Sequence, residues 1–199
     1  MTGTRLRVIL LYVLIWLSVG CGGATGEHSE APTALPEIRY RDALPLMLEA
    51  QDLGADYYEI AETHRLAKGK GWGEDTTRLS GYRFVFRGED GLFSEVTCQV
   101  ECYLTLNEAQ DAYRAFRQEI AAELRDSTAY DAVHDAEERL LGEWNHMYTA
   151  QSRDAMLVEY VFLRNNAFVF LSFVGSQAPG FADEAAQQAR SLDERILRH

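Results

Sequence analysis

Between Ser94 and Thr105 the chain alternates almost without a break. Val96, Cys98, Val100, Cys102 and Leu104 fall on one side, and Thr97, Gln99, Glu101, Tyr103 and Thr105 on the other. A period of two predicts a half-buried antiparallel strand. Just before it, Ser80 to Arg87 sets Tyr82, Phe84 and Phe86 against Arg83 and Arg87, and Gly88-Glu89-Asp90-Gly91 supplies the turn. Met156–Arg164 and Ala167–Gly175 are strongly apolar strands on either side of Asn165-Asn166. Asparagine tolerates positive φ, so this two-residue link predicts a tight primed turn and a hairpin. In that register Leu163 opposes Phe168, Val161 opposes Phe170 and Glu159 opposes Ser172.

A period near 3.6 replaces the period of two elsewhere. Thr105-Leu106-Asn107-Glu108 has the form of a capping box and predicts a helix to about Leu124, with Ala109, Ala112, Tyr113, Phe116, Ile120 and Leu124 as its apolar stripe. A final helix follows Pro179-Gly180, turning Phe181, Ala185, Ala189, Leu192 and Ile196 inward. Ala43 to Gln51 predicts a short first helix stopped by Gly54, Asp56 to Leu66 a strand, and Trp144 to Ala150 a further strand. Glycines around Trp72 predict an exposed loop from Ala67 to Leu79, and residues 126–142 read as a loop with a helical turn. Hairpins joined by short links and interleaved with helices predict an α+β fold, an antiparallel β-sheet packed with helices as an αβ sandwich.

The N-terminus has a different pattern. Arg5 and Arg7 precede an apolar run from Val8 to Leu17, and Ser18-Val19-Gly20-Cys21 closes it. The run suits a secretory signal and is shorter than the ~20 residues a spanning helix needs. Its end resembles the bacterial lipobox, with Gly20 before the cysteine that receives diacylglycerol and Ser18 where leucine is preferred. That resemblance implies a signal peptide over 1–20 and lipidation, palmitate included, at Cys21. A plain cleaved signal and an uncleaved anchor are the alternatives. From Gly22 to Pro36 only Leu35 is a large apolar residue, so 21–36 is expected to be a flexible tether. Residues 37–199 are then one α+β domain.

Composition narrows the class. The chain has 199 residues, 19 Lys+Arg against 31 Asp+Glu, and a formal net charge of -12. Loss of a signal carrying Arg5 and Arg7 makes the mature chain more acidic still. Such a balance argues against nucleic-acid binding, which needs clustered cations to displace counterions. The expected partners are a membrane, through the lipid on Cys21, and an envelope protein.

The run Leu157-Val158-Glu159-Tyr160-Val161-Phe162-Leu163-Arg164, its turn into Phe168-Val169-Phe170-Leu171-Ser172, and the closing helix Ala189 to Ile196 resemble a broad group of bacterial lipoproteins. Their soluble domain has the Mog1/PsbP-like fold. Cys98 to Phe116 extends the likeness to roughly 40–197. The resemblance implies an extracytoplasmic, lipid-anchored location at the cell or outer membrane and a non-enzymatic binding or accessory role. It brings no catalytic residues.

Candidate chemistry is sparse. Cys98 and Cys102 share a strand face about 13 Å apart at about 3.3 Å per residue, too far for a disulfide, and read as core filler. His64 and His146, with Glu62 or Glu143 nearby, are the residues that an envelope hydrolase or metal-binding protein would use. His134 with Asp131 and Asp135 reads as a solvated helical face. No nucleophile elbow, phosphate loop or calcium loop is present, and no cofactor is expected. The remaining candidates are the sheet face of Arg83, Arg87, Gln99, Glu101, Tyr103 and Glu159, and the Trp72 loop.

Overall fold

The computed structural model describes residues 37–60, 64–67, 69–72, 76–136 and 141–199. The signal segment, Cys21 and the tether lie outside them. The fold is α+β, as the periodicities predict. Its nine-stranded antiparallel sheet contains β1 (Tyr57–Glu59), β2 (His64–Arg65), β3 (Gly69–Lys70), β4 (Thr77–Gly88), β5 (Phe93–Tyr103), β6 (Ala132–Ala136), β7 (Trp144–Gln151), β8 (Met156–Arg164) and β9 (Ala167–Gly175). The main order is β1-β4-β5-β9-β8-β7-β6, and β2 and β3 also pair with β4. Among the described residues three α-helices accompany it: α1 (Ala50–Leu53), α2 (Leu106–Asp126) and α3 (Phe181–Arg198). None of the described helices is long and apolar enough to cross a membrane.

The two faces carry different loads. On one, Phe86, Val96, Cys98, Val100, Cys102, Val158, Tyr160, Phe162, Val169, Leu171 and Phe173 meet Phe181, Ala185, Ala189, Leu192 and Ile196 of α3. At about 1.5–3 kcal/mol for each large side chain removed from water, this layer is the principal source of stability. Both cysteines sit in it fully buried and unpaired, and burial pushes each thiol up to about 12. On the other face α2 packs Ala109, Ala112, Tyr113, Phe116 and Leu124 over Tyr148, Leu157, Val161, Leu163, Phe168 and Phe170. Thr105 caps α2, its hydroxyl accepting from the Glu108 amide at 3.1 Å.

The β8–β9 hairpin has the expected register, with Leu163 opposite Phe168, Val161 opposite Phe170 and Glu159 opposite Ser172. Within this turn only Asn165 has a positive φ, at 49°. Asn166 has another use. Its buried side chain accepts from the Tyr40 amide at 2.9 Å and donates to the Tyr40 carbonyl at 2.6 Å and the Tyr103 carbonyl at 2.7 Å. One amide thereby fastens the start of the domain to the end of β5. Arg164 and Asp193 join β8 to α3 through two 2.6 Å hydrogen bonds.

Four expected elements differ. The exposed loop expected over 67–79 contains β3 and the first residues of β4, because Gly69 and Lys70 pair antiparallel with Arg78 and Thr77. The first helix is only a 3-10 turn over Leu44–Leu46 followed by the four-residue α1, because Met47 adopts an extended backbone (ψ 154°) and breaks the run. The strand expected over 56–66 is present as β1 and β2, with 61–63 outside the described residues. Residues 132–136, expected within a loop, form β6, an edge strand held on one side by β7.

Candidate binding site

Strand register places Thr97 of β5 against Ser172 of β9, Ser172 against Glu159 of β8, and Glu159 against Tyr148 of β7. A polar row therefore crosses the α2 face of a sheet whose central strands are otherwise buried on both sides. Beside it, Arg83 pairs with Gln99 and Gly81 with Glu101. The face proposed from sequence is thus assembled on one side of the sheet. Part of it is covered by α2, and between helix and sheet lies a cavity.

The cavity has two chambers. The larger, about 350 Å³, is lined by Trp72, Arg83, Glu95, Thr97, Gln99, Phe116, Glu119, Ile120, Glu123, Glu159, Phe170 and Ser172. The smaller, about 210 Å³, is lined by Ile120, Glu123, Leu124, Ser127, Tyr130, Leu157, Glu159, Ser172 and Val174. Ile120, Glu123, Glu159 and Ser172 border both. The α2 residues project from two adjoining rows, Phe116-Ile120-Leu124 and Glu119-Glu123, as an i, i+4 spacing requires.

Glu159 is the unusual member. It is 7% exposed, and Ser172 hydrogen-bonds its carboxyl. The Oε2 atom is buried with no hydrogen-bond partner. Burial pushes its carboxyl up to about 7; the Ser172 bond opposes that rise and nearby Glu123 adds to it. Burial also raises the Tyr130 phenol, and the charges of Glu159 and Glu123 reinforce the shift. Among the described residues Glu119, Glu123 and Arg83 make no ion pair, whereas Glu95 meets Arg87 at 3.5 Å.

Glu101 contrasts with Glu159 on the same sheet face. Fully buried, its carboxylate accepts from Arg78 at 2.7 Å, Gln99 at 2.6 Å, the Tyr103 hydroxyl at 2.8 Å and Trp72 Nε1 at 3.0 Å. Every lone pair has a use, so this carboxylate builds structure. It draws the Trp72 loop inward. Trp72 is half-buried with its ring edge-on to Phe116, centroids 4.8 Å apart, and a Cβ at Gly71 would collide with the Tyr103 ring beneath. Trp72 is therefore a wall of the larger chamber, not a protruding contact.

The histidines lie elsewhere. His64 is exposed on β2 opposite Arg83. His146 is buried on β7, where Nε2 meets Asp135 of β6. Five strand steps separate β2 from β7, about 24 Å at 4.8 Å per step, so the two cannot share one centre. Glu143 is held by Arg164 and the Asn165 amide, and Glu62 lies outside the described residues. His134 is on β6, a strand and not the expected helical face. Among the described residues no group of three or more His, Cys, Asp or Glu is placed to hold a metal ion. Arg87 pairs with Glu95 outside the polar row, and Tyr103 serves the Glu101 network.

Sequence reasoning placed Glu159, Gln99 and Arg83 on this face. It missed Glu119, Glu123 and Tyr130, whose one signal was two acids spaced i, i+4 immediately beside an apolar helical stripe.

No family model and no curated protein matches the chain. Among solved structures, it is similar to the extracellular domain of PknH from Mycobacterium tuberculosis, at 11% identity and a TM-score of 0.47, covering 76% of this chain and 94% of that one. It is also similar to a GTP binding regulator from Thermotoga maritima, at 14% identity and a TM-score of 0.36, covering 76% and 84%.

Proposed function

We propose that this protein is a lipid-anchored binding module of the cell envelope, non-enzymatic, whose binding element is the cavity between α2 and the sheet. The observation that carries the binding role is Glu159. A carboxyl taken out of water with one oxygen unpartnered costs stability, and its position on a cavity floor suits a group that a ligand completes. In the smaller chamber the apolar side chains of Ile120, Leu124, Leu157 and Val174 meet a few convergent polar groups, the ordinary make-up of small-molecule sites. The envelope location and the lipid are supported by the apolar run ending at Gly20-Cys21 and by the composition of 22–36.

Two measurements on one preparation test the reading. Intact mass of the membrane-fraction protein should equal residues 21–199 plus acyl chains, with the modification lost in Cys21→Ala. An unmodified mass removes the anchor. Native mass spectrometry of the same sample should show a small molecule retained by the wild type and absent from Ile120→Trp, whose larger ring intrudes on both chambers where they adjoin. Equal retention by the two proteins removes the cavity as the binding element.

A further inference from the structure

We infer that the smaller chamber is a site for an organic ammonium ion, whose charged nitrogen lies between Glu159 and Glu123 and whose carbon body lies against Ile120, Leu157 and Val174. The inference rests on the binding role proposed above and gives that role a ligand class.

Three observations carry it. The chamber holds two carboxylates, and among the described residues no lysine, arginine or histidine lines it. One of those carboxylates, Glu159, lines both chambers, is more than nine-tenths buried and keeps one oxygen, Oε2, without a hydrogen-bond partner. The remaining polar groups are the hydroxyls of Ser127, Tyr130 and Ser172, which can accept from an N–H. An anion would meet two like charges without compensation, and a neutral polar ligand would leave them unneutralised. The apolar walls distinguish an organic cation from a hard metal ion, which takes a shell of oxygen ligands. Among the described residues the one cation of the cavity without an ion pair, Arg83, lines only the larger chamber, its backbone three strand steps from that of Glu159, about 14 Å at 4.8 Å per step.

Calorimetric titration of the detergent-solubilised full chain at pH 8 tests this with n-butylammonium, n-butanol, n-butyrate and Ca²⁺. n-Butylammonium should bind at least tenfold more tightly than n-butanol, and n-butyrate should not bind. Glu159→Gln should weaken n-butylammonium at least tenfold and leave n-butanol unchanged. Glu123→Gln, at the exposed rim, should weaken it less and gives a second variant should the first fold poorly. Equal binding of n-butanol, tighter binding of n-butyrate or Ca²⁺, or indifference of n-butylammonium to both variants overturns the inference while the cavity remains a binding site. Failure of every probe overturns the inference and removes support from the binding role as well.

Discussion

Ser172 and Glu159 face each other across directly paired strands at the centre of the sheet, and the serine hydroxyl satisfies only one side of the carboxyl. Folding removes Glu159 from water and returns a single hydrogen bond. Its carboxyl is held up at about 7 against an ordinary 4.5. Between those values the folded chain holds a proton that the unfolded chain has released, so stability falls as pH rises through the interval. The loss reaches about 3 kcal/mol above pH 7. Glu159→Gln keeps the shape and removes the charge. Its Tm should match the wild type near pH 4 and exceed it by several degrees at pH 8. A Tm gain of equal size at both pH values would show that the carboxylate is not the source.

Ligand affinity should carry the same titration with the opposite slope. An ammonium ion favours the ionised carboxyl, so below pH 7 its binding expels a proton. The groups facing the site are Glu119 and Glu123 from α2, Tyr130 after it, Tyr148 from β7, Glu95 from β5 and Arg83 from β4. The phenols are raised and remain neutral across this range. Affinity for n-butylammonium should therefore rise up to about tenfold per pH unit between pH 5 and 7 and level off above. Calorimetry in two buffers of different ionisation enthalpy would count the proton released.

Among the described residues Arg78 is the one cation paired with the fully buried Glu101. Arg78→Met should lower stability by about 3–5 kcal/mol, because the carboxylate stays buried without its partner. Urea denaturation measures this. A loss below about 1 kcal/mol would mean that water reaches Glu101.

Asn166 leaves three backbone groups without partners when truncated, the amide and carbonyl of Tyr40 and the carbonyl of Tyr103. Asn166→Ala should cost about 3 kcal/mol or more and expose Arg39 and Arg41 to trypsin well before the rest of the domain is cut. Retained protection of those arginines would show that Tyr40 is held by its ring and hydroxyl alone.

The buried thiols should ignore a water-soluble disulfide reagent in the native state, and both Cys98 and Cys102 should react after denaturation. A native reaction would require the α3 face to open, for which their full burial gives no route.

Much of this arrangement was legible because burial imposes a period. β4, β5, β8, β9, α2 and α3 each repeat one face often enough to announce themselves, and two-residue register alone put Glu159 beside Ser172. β6 was not legible, since Ala132-Val133-His134-Asp135-Ala136 borders one neighbour only and carries little apolar alternation. The short first helix was misread because Leu44, Met47 and Leu48 keep helical spacing while Met47 is extended. The cavity needs helix and sheet in relative position, which no local pattern encodes. For the same reason Trp72, in a glycine-rich stretch with no period, gave no sign that it would fold over Phe116.

The clamp at Asn166 has a mechanical meaning. Among the described residues, tension applied from the N-terminal side meets Glu37 and Arg39, tied to Asn165, Asn166 and Leu197, and then Tyr40, which is tied to the β8–β9 turn, the β5 terminus and, through its hydroxyl, the Ile196 carbonyl of α3. A pull thus enters at the middle of the sheet and is shared among several hydrogen bonds, where a pull on an edge strand would open them one after another.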